Sequence, residues 1–151
     1  MNPRRLAAPS APAVLIAAAV VPLAVMIACE PQGPRPLRLF TDNLQVLITS
    51  EPSPPVAREA TLYKVIVRDR ETREPIDGGE GRIFATSRDQ ANTWDVLTPG
   101  PELGSYYGRL RYITSGEWAV AIQFRRDSTR PLERVDWYQE VRPPTDEPVT
   151  Y

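Results

Sequence analysis

Carboxylates are the side chains of this chain most able to do chemistry, and five of them fall in one short stretch. They are Asp69, Glu71, Glu74, Asp77 and Glu80. Oxygen ligands at such a spacing suit Ca²⁺, but their positions do not match the ligand pattern of an EF-hand loop. Arginines also interleave with them, at Arg68, Arg70, Arg73 and Arg82. The pattern therefore favours a solvated, charge-balanced loop over a calcium site.

A second set of carboxylates, Asp95, Glu102 and Glu117, has the residue types of a catalytic acid/base pair. Nothing in the sequence places them in one cleft. The chain has no histidine, its methionines are Met1 and Met26, and Cys29 is its only cysteine. This composition excludes Ser-His-Asp and Cys-His catalysis, the usual zinc sites and soft copper sites beyond Cys29. We predict a non-enzymatic protein without catalytic residues, metal site or cofactor.

The charge balance argues against nucleic acid as a partner. All 19 acidic residues follow Cys29, and they outnumber the 16 basic residues there, so this part carries a net charge of −3. A nucleic-acid-binding domain would carry a basic patch or stripe instead. Because a single cysteine cannot form an internal disulfide, stability must come from a packed core.

The N-terminus predicts a membrane location. Arg4 and Arg5 precede a long apolar run that ends in Ala28 and Cys29. This order is typical of a bacterial lipoprotein signal, in which Cys29 becomes the lipidated first residue. The alternative is a retained membrane helix, although the 16 uncharged residues 13–28 span only about 24 Å. In both interpretations the arginines stay in the cytoplasm, and the folded domain lies on the periplasmic side of the cell membrane.

Prolines divide the rest of the chain. We predict a signal or anchor helix over residues 1–29, a Pro-rich linker over 30–43, a β-sandwich domain over 44–142 and a flexible Pro-rich tail over 143–151. Seven short alternating runs lie in the domain, at residues 44–49, 61–68, 82–86, 93–97, 106–112, 117–125 and 135–141. Their period of two predicts an all-β, seven-stranded immunoglobulin-like antiparallel sandwich. A small closed barrel is the alternative.

One stretch also carries a family resemblance. Its pattern is Gly-x-Tyr, alternating apolar residues, then Gly-x-Trp-x-Val-x-Ile, at Gly104, Tyr106, Leu110, Gly116, Trp118, Val120 and Ile122. With the upstream segments 65–69 and 74–76, it resembles the FixH-like and YtkA-like periplasmic domains over residues 44–125. The resemblance implies a membrane-tethered domain that supports a respiratory complex. The copper role of some YtkA-like domains uses His and Met ligands, which this domain lacks.

Strand alternation sorts the aromatic residues into two groups. Trp118, Tyr106 and Trp137 share faces with valine and isoleucine, which predicts burial, with Trp118 beside Tyr106 and Val135. Gly116 is predicted to occupy the preceding turn with a positive φ. The opposite register carries a candidate protein interface made of Tyr107, Arg109, Arg111 and Tyr138. Tyrosine and arginine are enriched at the centres of such interfaces, whereas a solvated strand face is the alternative.

These observations favour a non-enzymatic periplasmic accessory subunit that stabilises an integral membrane complex, respiratory or photosynthetic. Its partners would be protein subunits of that complex. The alternative is a free-standing envelope lipoprotein that binds a small solute or ion, which would require a concave site with convergent polar groups.

Overall fold

The computed structural model describes residues 35–145. The predicted signal or anchor over 1–29, with Cys29, lies outside the described residues, as does most of the predicted tail. Within residues 35–145 there is no helix long and apolar enough to cross a membrane.

The described part of the chain forms nine β-strands. They are β1 (Leu37–Phe40), β2 (Leu44–Glu51), β3 (Ala60–Asp69), β4 (Glu80–Ser87), β5 (Asn92–Val96), β6 (Thr98–Pro99), β7 (Ser105–Arg111), β8 (Gly116–Arg125) and β9 (Glu133–Val141). Each of the seven predicted runs corresponds to a strand.

The predicted number of seven strands is too low by two, β1 and β6. β1 lies inside the predicted linker, where it pairs with β2 and packs Leu39 against the core. β6 contains Pro99 and forms only two residue pairs with β7. Both strands lie at sheet edges, where a missing amide donor costs no ladder hydrogen bond, so nearby prolines do not prevent pairing there.

Two antiparallel sheets face each other. The five-stranded sheet has the order β1-β2-β3-β7-β6, and the four-stranded sheet has the order β5-β4-β8-β9. The arrangement β2-β3-β7-β6 against β4-β8-β9 reproduces the ABED and CFG sheets of the immunoglobulin fold, with β5 as an added strand beside β4. The predicted immunoglobulin-like sandwich is therefore confirmed.

The core lies between the two sheets and follows the predicted alternation. Its largest fully buried side chains are Leu44, Tyr63, Ile83, Tyr106, Leu110, Tyr112, Trp118, Ile122 and Phe124. Gly116 has a φ of 106°, in the left-handed region that favours glycine, which confirms the predicted positive φ. It is the first residue of β8 rather than part of a turn between two paired strands, because β7 and β8 lie in different sheets. Trp137 is only partly buried, although it does pack against the core.

The buried aromatic rings meet edge to face across the sandwich. Trp118 contacts Tyr112 with ring centroids 5.1 Å apart, not Tyr106 as predicted. Tyr106 meets Phe124 instead, at 4.9 Å. The alternation identifies the buried faces of β3, β7 and β8 correctly, but it does not determine the strand stagger that selects ring partners across the core.

Buried polar atoms on these rings are hydrogen-bonded. The Trp118 indole N–H donates to the Thr114 carbonyl at 3.1 Å. The Tyr106 hydroxyl accepts from the Gly79 amide at 3.0 Å and donates to the Ile76 carbonyl at 2.8 Å, which ties the β3–β4 loop to the core. The hydroxyls of Tyr63 and Tyr112 bond each other at 2.5 Å. The hydrogen bond of each of these four side chains therefore fixes the orientation of its ring, in addition to the apolar area that the ring buries.

Two tryptophans offer a matched test of the core. Trp118 is 1% exposed and Trp94 is 65% exposed. Trp118→Ala should lower the free energy of unfolding by about 3–5 kcal/mol, because it leaves a cavity in the core. Trp94→Ala should lower it by about 1 kcal/mol or less. Urea unfolding of the full-length chain in a mild detergent measures both, and equal losses would contradict the assigned strand faces.

The tyrosine pair predicts alkaline sensitivity. Burial raises the pKa of Tyr63 to about 12 and also raises the pKa of Tyr112. The folded state therefore keeps both hydroxyls protonated at pH values where the unfolded chain ionises them. The free energy of unfolding should fall between pH 10 and 12, by about 1.4 kcal/mol per pH unit for each tyrosine.

The double variant Tyr63→Phe/Tyr112→Phe should flatten this dependence. Tyr138→Phe, which removes an exposed hydroxyl, is the matched control and should retain the dependence. Urea unfolding at a series of pH values gives the slopes. An unchanged slope in the double variant would contradict the assignment.

Candidate functional site

The site begins with an edge of β7 that lacks a complete partner strand. One edge of β7 pairs with β3, but the other meets only the two residues of β6, at Tyr106 and Tyr107. Farther along, the amide of Arg109 donates to the Asp95 carboxylate at 2.7 Å. The amide of Arg111 donates to the Thr93 hydroxyl at 3.3 Å. Two side chains of β5 thus take over from β6, although β5 belongs to the four-stranded sheet.

This role fixes which way β5 faces. Because successive side chains of a strand point to opposite faces, turning Thr93 and Asp95 toward β7 turns Trp94 and Val96 outward. Trp94 is 65% exposed and Val96 is 54% exposed. β5 therefore reverses the usual alternation, with polar residues toward the other sheet and apolar residues toward solvent. The inversion ends at the next residue, Leu97, which is buried.

The exposed side chains of β5 join an aromatic and arginine-rich surface on the outside of the four-stranded sheet. We call this surface the aromatic face, and it comprises Arg82, Phe84, Trp94, Val96, Arg134 and Tyr138. Phe84 lies opposite Trp94 in the β4–β5 pairing. The guanidinium carbons of Arg82 and Arg134 lie over the Phe84 ring, 5.5 and 5.2 Å from its centroid. Such cation–π contacts hold both arginines against the sheet.

Each arginine of the aromatic face also has a polar partner. Arg82 donates to Gln123 at 2.8 Å, and Arg134 donates through two nitrogens to Asp136. Asp136 is the first cause of the raised pKa of Arg134. These contacts fix the guanidinium groups in place before any partner binds.

The aromatic face extends across all four strands of the sheet. Tyr138, 76% exposed, stands on β9 opposite Ala119, and Ala121 lies opposite Phe84 on β8. From β5 to β9 the sheet is about 14 Å wide. A shallow pocket of about 280 Å³ opens beside Phe84 and Trp94. Ala121 is covered by the side chains around it, whereas Ala119 beside Tyr138 is exposed, so the space open to another molecule lies beside Tyr138 and in the pocket at Trp94.

The four predicted interface residues do not share one surface. Tyr107, Arg109 and Arg111 lie on β7, on the outside of the five-stranded sheet, whereas Tyr138 lies on β9 of the other sheet. Tyr107 is partly buried and lines a cleft of about 630 Å³ with Leu62. The Arg111 guanidinium donates a hydrogen bond to the Arg58 carbonyl at 2.9 Å. The period of two identifies outward residues but not the sheet to which each strand belongs.

The carboxylates of the β3–β4 region organise turns and ion pairs. Asp69 accepts hydrogen bonds from the amides of Thr72 and Glu71 and from Arg126, which together lower its pKa to about 2. Glu80 pairs with Arg125 at 2.5 Å. Within residues 35–145, no three His, Cys, Asp or Glu side chains are grouped closely enough to hold a metal ion.

The other candidate carboxylates are dispersed. Asp95 bonds the β7 edge, Glu102 pairs with Lys64 at 2.7 Å, and Glu117 lies 3.5 Å from Arg88. A polar cleft of about 250 Å³ does bring Asp69 and Glu133 to one end of the sandwich. Its charged groups bond to the protein itself, Asp69 to Arg126 and Glu133 to Asn43 at 3.2 Å. The cleft therefore presents few free groups to a solute.

Sequence reasoning missed Trp94, the most informative residue of the site. Trp94 and Val96 alternate with Thr93 and Asp95 as the residues of a normal half-buried strand would. The signal that could have identified it is the pair of polar residues, Thr93 and Asp95, that face β7, a strand without a full partner. That signal becomes visible only once the pairing of β7 is known.

Comparisons with known proteins show the fold alone. No family model and no curated protein matches the chain. A DUF4426 family protein from Pseudomonas aeruginosa superposes with a TM-score of 0.55 at 10% identity, covering 72% of this chain and 95% of that one. FetP from uropathogenic Escherichia coli gives 0.52 at 11% identity, covering 72% and 94%. A copper-bound FetP variant gives 0.50 at 10% identity, covering 78% and 98%.

Removing the side-chain cap of β7 should destabilise the domain. Asp95→Ala removes the acceptors of the Arg109 amide and of the Val96 amide and should lower the free energy of unfolding by about 1 kcal/mol. Asp95→Asn keeps one acceptor oxygen, which can bond Arg109, and should recover part of that loss. Urea unfolding of the full-length variants measures the difference. If alanine and asparagine cost the same, the hydrogen bond to Arg109 is not what stabilises this edge.

Proposed function

We propose that this chain is a non-enzymatic, membrane-tethered extracytoplasmic protein that binds a protein partner through its aromatic face. In the finer form of the proposal, that partner is a subunit of an integral membrane complex, which the domain stabilises as an accessory subunit. The observation that carries the proposal is the inverted strand β5. It places Trp94 and Val96 in solvent beside a phenylalanine held between two arginines.

The composition of the aromatic face supports a protein partner. Tryptophan, tyrosine and arginine are the residues most enriched at the energetic centres of protein interfaces. A contiguous exposed apolar patch that is rimmed by polar residues is typical of a site that binds another molecule. Here the rim consists of Gln123, Asp136 and the two arginines of the face, Arg82 and Arg134.

Rigidity also favours binding at this face. Its side chains stand on strands rather than on loops, and the arginines are already fixed over Phe84 and on their acceptors. A partner would therefore immobilise few side chains, and less of the interaction free energy would be lost to ordering.

The sequence supports a tether. The segment Arg4 to Cys29 has the pattern of a lipoprotein signal or an anchor, with Cys29 as the candidate lipidation site. The resemblance of residues 44–125 to FixH-like and YtkA-like domains points to the same side of the membrane. FetP, which shares the fold, was recombinantly expressed in the periplasm of Escherichia coli. A tethered domain meets partners that lie at the same membrane surface.

Ion binding is less favoured. The copper of the FetP variant belongs to that protein. Residues 35–145 of this chain contain no histidine, methionine or cysteine, which are the ligands that suit copper.

Gentle extraction from native membranes tests the proposal. The wild-type full-length chain should migrate in a native separation as an assembly larger than a dimer of itself. Trp94→Ala should weaken that assembly by roughly tenfold or more, as expected for a central interface residue. Tyr107→Ala, on the other sheet, is the matched control and should leave the assembly intact.

Two results would overturn the proposal. One is a wild-type chain that migrates free of larger assemblies. The other is a Trp94→Ala variant that retains the assembly while Tyr107→Ala loses it, which would move the interface to the five-stranded sheet. Unfolding curves of both variants identify any loss that is due to misfolding.

A further inference from the structure

β9 presents an open backbone edge. It is the last strand of the four-stranded sheet and pairs with β8 along one side only. With nine residues from Glu133 to Val141, and without proline, it is long and regular. An edge of this kind presents a row of amide and carbonyl groups that a further strand can pair with.

Neighbouring hydrogen bonds show which residues of β9 face the open side. Just beyond the strand, Arg142 donates its amide to the Pro55 carbonyl at 2.8 Å, and its carbonyl accepts from Ala57 at 2.9 Å. The backbone groups of Arg142 therefore point away from β8. Because alternate residues of a strand point their backbone groups to the same side, those of Arg134, Asp136, Tyr138 and Glu140 also face outward.

Both ends of this edge are covered. The loop that contains Pro55 and Ala57 lies against Arg142, as the hydrogen bonds above show. At the other end the β1–β2 turn bonds Glu133, through the Asn43 amide at 3.2 Å and the Thr41 hydroxyl. The open stretch therefore runs over residues 134–140, and its midpoint is Trp137.

We propose that two copies of this chain pair antiparallel through β9 about a twofold axis at Trp137. The pairing would join the two four-stranded sheets into one sheet of eight strands. It would set Arg134 opposite Glu140 of the second copy, and Asp136 opposite Tyr138. Both are pairs of outward-facing residues, so the backbone groups would meet as ladder hydrogen bonds require.

The charges of β9 select this register. A shift that keeps the backbone groups matched moves the axis by one residue, to position 136 or to position 138. The first shift places Asp136 directly opposite Asp136 of the second copy, and the other places Asp136 opposite Glu140. Directly opposed like charges destabilise a strand pair, whereas opposed Arg and Glu stabilise it. Only the axis at Trp137 avoids acid against acid and forms two Arg–Glu pairs.

Trp137 provides a reason for the pairing. It packs against the core and contacts Tyr63 at 6.3 Å between ring centroids, yet it remains partly exposed. At the axis it would lie in a non-hydrogen-bonded pair, in which opposite side chains come closest. Each indole would then cover the exposed part of the other. The second copy would complete the burial of a large aromatic side chain.

A charge-reversal cycle tests the proposal on the full-length chain, purified in a mild detergent and measured by sedimentation equilibrium. The wild type should form a dimer. Arg134→Glu and Glu140→Arg should each weaken the dimer by roughly tenfold, because each sets like charges opposite each other twice. The double variant R134E/E140R restores opposite pairs and should recover the wild-type constant. Arg88→Glu, in the turn between β4 and β5, is the matched control and should leave the dimer unchanged.

The outcomes are distinct. A dimer that is lost in both single variants and recovered in the double variant supports the proposal. A monomeric wild type overturns it and leaves the β9 edge open to a strand of another protein. A dimer that is insensitive to the reversals also overturns it, because association through the N-terminal apolar segment would behave in that way. None of these results depends on the partner of the aromatic face.

Discussion

The hydrogen bonds from the amides of Arg109 and Arg111 to β5 are the interaction on which the candidate site depends. β6 is too short to bond these two amides, which lie near the surface. Asp95 and Thr93 accept their hydrogen bonds instead, and this arrangement turns the polar side chains of β5 toward β7. Trp94 and Val96 are exposed as a direct result. An apolar surface that looks like a departure from the hydrophobic pattern therefore follows from hydrogen-bond satisfaction inside the fold.

The core shows the same coupling between packing and polar satisfaction. Its aromatic side chains bury large areas, and the hydroxyl of Tyr106 and the indole of Trp118 each bond a loop carbonyl. Thr61 is the exception, since its buried hydroxyl has no hydrogen-bond partner among residues 35–145. An unpaired hydroxyl at a position where valine would fit is a local cost to stability. The aromatic bonds therefore supply a specific arrangement of the sheets as well as stability.

Strand positions and buried faces could be predicted because they depend on local alternation. Tyr63, Val65 and Val67, for example, are buried as their spacing requires. Features that depend on which strands become neighbours could not be predicted. Trp118 meets Tyr112 because of a stagger between sheets, and Tyr138 is separated from Tyr107 because β9 and β7 belong to different sheets. The exposure of Trp94 depends on the incomplete pairing of β7, a strand distant in sequence, so it could not be predicted from the residues of β5 alone.

The short passage from β5 to β6 has a consequence for how the domain opens. Val96 ends a strand of one sheet, Leu97 bonds the Gly81 carbonyl at 2.9 Å, and Thr98 starts a strand of the other sheet. No loop lies between the two strands to absorb a relative displacement. The two sheets can move apart at this side only if β5 loses its pairing with β4 or β6 loses its pairing with β7. Amide hydrogens of the two sheets should then exchange with solvent through a shared, subglobal opening rather than independently.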